Sequence, residues 1–289
     1  MRPTSLLPFK MHSLGIAICT RNRWVELNET LSRLQRLGLD GGPLVIADDA
    51  SDSNWTDVPS DWRGGLQLLR SEQRLGLVAQ RNELLRACPA EYVLVVDDDS
   101  NPTADDFDVA LKLMESPSVA VVGFPVQRAS GEWQVPPACA GERRKAFTGC
   151  AHIVKKEAFF QVGGYRAELV HQGEESDLGF RLFAAGFSCV HCPEPVFEHR
   201  LVETARSYLR MDYYGTRNEL LFADWYAPPE LRARRLVRTL LKRVFFFFKV
   251  RRSSVLQGIH AWWTQRRELM MNRQSTTLQR WRAYQALPH

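Results

Sequence analysis

Three consecutive carboxylates, Asp97-Asp98-Asp99, follow directly on the apolar run Tyr92-Val93-Leu94-Val95-Val96. Negative charges held this close repel one another, and a divalent cation bound by hard oxygen ligands is an economical way to stabilise them. The chemistry they suggest is a site for a metal ion and a diphosphate. A second acidic group, Glu174, Glu175 and Asp177, opens a helix pattern that begins near Gly173 and closes at Gly186. These acids suit the positive end of a helix dipole, and Asp177 can pair with Arg181 four residues on. Cys189 and Cys192 form a CxxC around His191, but no second CxxC completes a zinc site. The six cysteines, Cys19, Cys88, Cys139, Cys150, Cys189 and Cys192, are scattered in apolar surroundings, as expected of reduced core thiols.

The elements that must position these residues follow from the apolar runs. Leu14 to Cys19, Leu44 to Ala47, Leu66 to Leu69, Tyr92 to Val96, Val119 to Gly123 and Gly149 to Val154 predict strands. Helix patterns run over Trp24 to Leu37, Val78 to Ala87 and Phe107 to Met114, and a short helix ends at Gly163-Gly164. Alternating strands and helices predict an α/β fold, a mostly parallel sheet flanked by helices. The acidic triplet then sits where a buried strand leaves the sheet, the edge at which such sheets bind ligands. From Ser130 to Ala146, Gly131, Pro136, Pro137 and Gly141 break the pattern and predict a loop over the site, whose Trp133 either tucks under the loop or offers a flat face to a ligand.

The charge is divided unevenly. The net +5 of the 289 residues combines +13 from Leu231 onward, where 14 Lys and Arg face the single acid Glu268, with −8 for the rest. After the helix start Pro228-Pro229-Glu230, the apolar residues Ala233, Leu236, Val237, Leu240, Leu241, Val244, Phe247 and Phe248 recur at helical spacing among basic ones. Such a helix suits a membrane surface, with Trp262-Trp263 at the headgroups, or an acidic body on which its stripe packs. Nine basic residues between Arg232 and Arg252 argue against spanning, and no nucleic-acid reading motif accompanies them. With no apolar stretch of about 18 residues and no signal peptide, the expectation is a cytoplasmic protein, peripheral on the inner face of the membrane through residues 231–263. The predicted organisation is an N-terminal tail over 1–12, a catalytic domain over 13–226 and a basic helical extension over 227–289.

Thr20-Arg21-Asn22, Asp48-Asp49, Gly76 with Arg81-Asn82, Asp97-x-Asp99, the segment FTGCAHIVKKEAFFQVGGY, then GEESDLGFRLFAAGF and His199 occur in an order that resembles glycosyltransferase family 2. The resemblance covers roughly residues 14 to 200 and implies the GT-A fold and inverting sugar transfer from a nucleotide-diphosphate donor. It implies that Thr20, Arg21, Asp48, Asp49, Gly76, Arg81, Asp97, Asp98, Gly149 and Glu174 line the donor site. It implies Mn²⁺ or Mg²⁺ as cofactor, held by Asp97, Asp99 and His199. Glu175 falls where the family carries an aspartate and is the candidate base, with Asp177 in reserve; Ala50 departs where glycine is common. Tyr213-Tyr214-Gly215-Thr216-Arg217-Asn218 before a basic tail is similar to bacterial rhamnosyl- or galactofuranosyl-type transferases. That implies a dTDP- or UDP-sugar donor and a saccharide or lipid-linked acceptor. A sugar-phosphate nucleotidyltransferase is disfavoured because Cys19 to Trp24 holds no glycine. A degenerate sugar-nucleotide sensor or scaffold is disfavoured by the intact acids.

Overall fold

Along Leu14–Thr20 (β1), successive side chains enter two different apolar layers, Ile16 and Ile18 on one face and Ala17 on the other. A strand buried on both sides needs helices above and below it. The structure, a computed structural model, describes residues 14–59, 61–201 and 207–289. The tail expected over 1–12 lies outside the described residues.

The strands after β1 are β2 (Leu44–Asp48), β3 (Leu66–Arg70), β4 (Tyr92–Asp97), β5 (Ser100–Pro102), β6 (Val119–Gly123) and β7 (Val126–Arg128). They continue with β8 (Trp133–Val135), β9 (Glu142–Arg144), β10 (Ala151–Lys155), β11 (Ser188–His191) and β12 (Phe197–His199). Eight form one sheet in the order β3-β2-β1-β4-β10-β6-β11-β9. Strands β3, β2, β1 and β4 are parallel, β10 runs antiparallel between β4 and β6, and β9 is antiparallel to β11. The order in which strands are added reverses between β1 and β4, and such a switch point leaves a crevice at the carboxyl ends of the two strands.

Helix α1 (Trp24–Arg36) presents Leu27, Leu31 and Leu34 to the first face, at the spacing that puts three side chains on one stripe. Helices α2 (Leu77–Ala87) and α5 (Glu174–Ala184) cover the second face with Val78, Leu84, Leu85, Leu178 and Leu182. Helix α3 (Asp108–Met114) joins α1 on the first face, and α4 (Lys156–Gln161) ends before Gly163 and Gly164.

The segment from Ser130 to Ala146 differs from the expected loop. It contains β8, which joins β7 after a turn at Gly131, and β9, which extends the main sheet beyond β11. Both strands are three residues long and at an edge, too short for a periodicity to announce them. A second sheet, ordered β5-β12-β7-β8, results.

Four further helices follow: α6 (Tyr208–Tyr226), α7 (Pro229–Val250), α8 (Ser253–Gln265) and α9 (Leu278–Ala286). Their third core cluster gathers Leu220, Leu221, Trp225 and Tyr226 of α6, Trp262 of α8, and Trp281 and Tyr284 of α9 around Phe180 of α5. The Phe180 ring lies 4.3 Å from that of Tyr226 and 4.9 Å from that of Tyr284. The helices are therefore seated on the sheet domain. The apolar side of α7 is divided: Leu231, Leu236 and Leu240 pack on this cluster, while Val237, Leu241, Phe245 and Phe248 are exposed. No helix among the described residues is long and apolar enough to cross a membrane.

Candidate active site

At the carboxyl end of β4 the acids divide their partners. Arg81, in the first turns of α2 and almost fully buried, donates from Nη2 to Asp97 Oδ1 and to the Gly149 carbonyl, each at 3.0 Å. Its Nη1 donates to Glu174 Oε1 at 3.1 Å and lies 3.7 Å from Glu175 Oε1. One guanidinium thus ties β4 to the start of α5. Arg23, at the start of α1, pairs with Asp98 at 2.9 Å and with Asp99 at 2.5 Å. Thr20 Oγ1 donates to Asp98 at 2.8 Å.

Strand β12 brings His199 opposite Ser100 of β5, one residue past the triplet. Its Nε2 lies 3.3 Å from Asp99 Oδ1, and its Nδ1 lies 3.0 Å from Gln134 Oε1 and 3.8 Å from Cys150 Sγ. Among the described residues, Asp97, Cys150 and His199 place their ligand atoms all within 4.8 Å of one another. Oxygen, nitrogen and sulfur donors at that separation fit a divalent cation.

Glycines shape the wall. Gly173 takes φ 86° and starts α5 so that Glu174 and Glu175 stand at its first turn. A Cβ at Gly149 would meet Glu175 Oε1 at 2.2 Å and Arg81 Nη1 at 2.8 Å, so a larger residue there would displace the carboxylate and the guanidinium. The Glu175 side chain keeps 23% of its surface open and that of Asp97 29%, whereas Glu174 keeps 3%. The open carboxylates are thus those of Asp97 and Glu175.

Five carboxylates, Asp97, Asp98, Asp99, Glu174 and Glu175, share two guanidinium groups. Burial pushes the Asp98 carboxyl up to about 8, against the pull of Arg23. Burial and repulsion from Glu174 push Glu175 up to about 8, with Arg81 pulling the other way. Burial also raises Glu174, one oxygen of which is buried without a hydrogen bond. Asp99 differs: although burial opposes ionisation, His199 and Arg23 hold its carboxyl well below the usual range. The excess of negative charge is what a cation would neutralise.

The family model of glycosyl transferase family 2 matches residues 15–170, more than half of the chain. The chain belongs to glycosyltransferase family 2. No curated protein matches its sequence. Among solved structures, the mannosyltransferase PcManGT from Pyrobaculum calidifontis, in complex with GDP-Man and Mn²⁺, is similar at 18% identity and TM-score 0.61, over 96% of this chain and 79% of that one. GalNAc-T7 with UDP, GalNAc and Mn²⁺ is similar at 16% identity and TM-score 0.59, over 74% of this chain and 48% of that one. S. aureus TarS 1–349 in complex with UDP-GlcNAc is similar at 16% identity and TM-score 0.58, over 73% of this chain and 66% of that one. The fold is GT-A, and the chain spans about half the length of GalNAc-T7.

In this family 2 chain, the residues expected to act together are only partly together. Asp97, Asp98, Asp99, Arg81, Gly149, Glu174, Glu175 and His199 surround one crevice. Asp177, the reserve base, is excluded: one oxygen accepts from Arg181 at 2.9 and 2.6 Å and the other from Tyr226 Oη at 2.5 Å, on the side of α5 that faces α6. Asp48 and Asp49, expected at the donor, are taken up by the frame. Asp48 is fully buried and accepts from Ser51, and Asp49 accepts from the amides of Leu75 and Gly76 and from Gln80. Gly76 turns into α2 at φ 90°, and Thr20 acts on Asp98 rather than on the open crevice. Arg21 pairs with Asp52 at 3.8 Å; it is Arg23, two residues on, that reaches the triplet. Sequence reasoning missed Arg23, Gln134 and Cys150. Only Arg23 carries a signal there, as a second arginine in the same loop.

Replacing Arg81 by methionine leaves Asp97, Glu174 and Glu175 without their cation. A loss of about 3–5 kcal/mol is expected above about pH 8, where these carboxylates are ionised. Because burial already raises Glu174 and Glu175, protonation relieves their repulsion on acidification, so the loss must shrink as the pH falls through about 8. Denaturant titrations of wild type and Arg81→Met across that range check both its size and its slope.

Proposed function

We propose that the protein transfers a sugar from a dTDP- or UDP-sugar to a hydroxyl of a saccharide or lipid-linked acceptor, with inversion, in bacterial polysaccharide or glycolipid assembly. The observation that carries the catalytic part is the placement of Glu175. It is the open carboxylate beside Gly149, 3.7 Å from the guanidinium that holds Asp97. Its raised affinity for a proton, near the operating pH, suits a general base. In the reaction the donor's anomeric carbon–oxygen bond breaks and its electron pair leaves with the diphosphate. The acceptor oxygen bonds to that carbon from the opposite face and passes its proton to Glu175. Arg81 holds Asp97 and Glu175 in a fixed relation, so positioning is complete before the substrates arrive. A bound Mn²⁺ or Mg²⁺ at the Asp97–His199 cluster would supply positive charge to the leaving diphosphate.

The Glu175 carboxylate must be ionised to act. Activity is therefore expected to rise with pH through an apparent value well above the ordinary 4.5. Glu175→Gln should lower kcat by about 10²–10⁴-fold and remove that acid limb. A pH–rate profile of donor consumption by both forms checks this, and a limb that survives in the variant gives the base to another group.

The exposed stripe of α7 supports attachment to the anionic cytoplasmic leaflet. Val237, Leu241, Phe245 and Phe248 recur every three or four residues, and the exposed Arg234, Arg238, Lys242, Lys249 and Arg251 stand beside them. Phe245 is 74% exposed and belongs to a contiguous apolar stripe, the face an interfacial helix buries. Each basic residue near anionic lipid contributes about 1 kcal/mol. Co-sedimentation with phosphatidylserine-containing vesicles should be lost in Phe245→Asp with Phe248→Asp, with unchanged melting. Equal sedimentation of the variant would sink the assignment.

A further inference from the structure

We propose that Asn218 is a positioning residue for the reaction: from α6 it holds the turn before α5 in a strained conformation that aims Glu175 at the crevice. This deepens the reading above, on which it rests for the role of Glu175.

The stretch between the short helical turn Ala167–Leu169 and α5 takes positive φ at three of its four residues. Val170 has φ 61° and ψ −47°, and across it the His171 amide donates to the Leu169 carbonyl at 2.6 Å. This is a γ-turn of the rare, strained hand, and a β-branched side chain makes it less favourable still. Gln172 follows at φ 70° and Gly173 at φ 86°. Such a run persists only where its surroundings over-determine it.

Asn218 does this. It is buried, and its Nδ2 donates to the carbonyls of Leu169, His171 and Gln172 at 2.9, 3.0 and 2.6 Å. Three carbonyls of one short stretch converge on a single amide only if the chain curls around it, and the positive φ values are that curl. Arg217 fixes which end of the amide faces the turn: its Nε donates to Asn218 Oδ1 at 2.9 Å, so the N–H donors are left for the carbonyls. A Cβ at Gly173 would meet the Asn218 Cβ at 3.5 Å, so α5 starts directly against this side chain.

The turn touches the supports of both the base and its guanidinium. Glu175 stands two residues past Gly173 in the first turn of α5. On the other side, a Cβ at Gly76 would meet Val170 Cγ1 at 3.1 Å and the Val170 carbonyl oxygen at 3.3 Å, and Gly76 opens α2, which carries Arg81. The 3.7 Å separation of Arg81 and Glu175 is thus set across the turn that Asn218 holds. The Arg217-Asn218 pair that ends the Tyr213 to Asn218 segment acts on the base through this turn.

The test is release of UDP or dTDP from a panel of UDP- and dTDP-sugars in Mn²⁺, by wild type, Asn218→Asp and Asn218→Ala, and by each variant combined with Val170→Gly. Asn218→Asp removes only the N–H donors, and Asn218→Ala serves should the added charge prevent folding. Each should lower kcat by about 10²-fold, the effect of a misplacement of about 1 Å. The KM for the sugar nucleotide should stay unchanged, because Asp97 ends β4 and His199 ends β12, on other elements. Glycine takes positive φ without strain, so Val170→Gly should restore part of kcat in either background. An Asn218 that only stabilised the fold would lower the melting temperature and leave the folded protein its kcat. A wild-type kcat in the folded variants, or a loss that Val170→Gly leaves untouched, overturns the role of Asn218 while the transferase reading stands. No release by wild type from any of the sugar nucleotides overturns that reading and this inference with it.

Discussion

The Arg81 guanidinium is the interaction on which the rest of the site depends. It is buried between the end of β4, the Gly149 carbonyl and the first turn of α5, and it holds together chain segments that are 93 residues apart. A buried cation is costly unless hydrogen-bonded to opposite charge, and here every neighbour is an acceptor. The same contacts hold two carboxylates, Asp97 and Glu175, around one guanidinium. Arginine does this where lysine could not, because its planar fork reaches several acceptors at once.

The C-terminal helices serve this arrangement from behind. Asn218 of α6 donates to the carbonyls of Leu169, His171 and Gln172, the stretch that leads into Gly173 and the start of α5. Arg217 adds a bond to Leu169 O at 3.2 Å. Tyr226 and Arg181 close on Asp177, and Tyr284 of α9 reaches the Lys145 carbonyl at 3.1 Å. The first turn of α5 is therefore fixed by its N-terminal glycine, by Arg81 and by the packed aromatic cluster under Phe180. A helix that lies on a membrane through one edge of α7 would be rigidly coupled to the crevice by these contacts.

Much of the fold was legible because its central strands are valine- and isoleucine-rich runs buried on both faces. Tyr92 to Val96 and Val119 to Gly123 need no context to be recognised, and the observed strands begin at those residues. Strands β8 and β9 were not legible: WQV is too short for its alternation to count and ERR has none, and pairing with β7 and β11 makes them strands. The acids at 97–99 and 174–175 were legible as a motif, but their division of labour was not. Which acid faces Arg81, which faces Arg23 and which is sealed against Tyr226 depends on contacts 16 to 93 residues away in the chain. Asp177 illustrates this, since its spacing to Arg181 was visible but the partner that excludes it from the crevice, Tyr226, was 49 residues distant. Likewise Cys150 looked like one more core thiol until β10 set it beside Asp97.

The central claim is that the crevice between β1 and β4 binds a nucleoside diphosphate through a divalent ion. Calorimetric titration with UDP, dTDP and GDP, in Mn²⁺ and in EDTA, on wild type and Asp97→Asn tests it most directly. The account predicts that one nucleotide binds in Mn²⁺, and that binding is lost both in EDTA and in the variant. Equal binding in EDTA, or unchanged binding by Asp97→Asn, would contradict it.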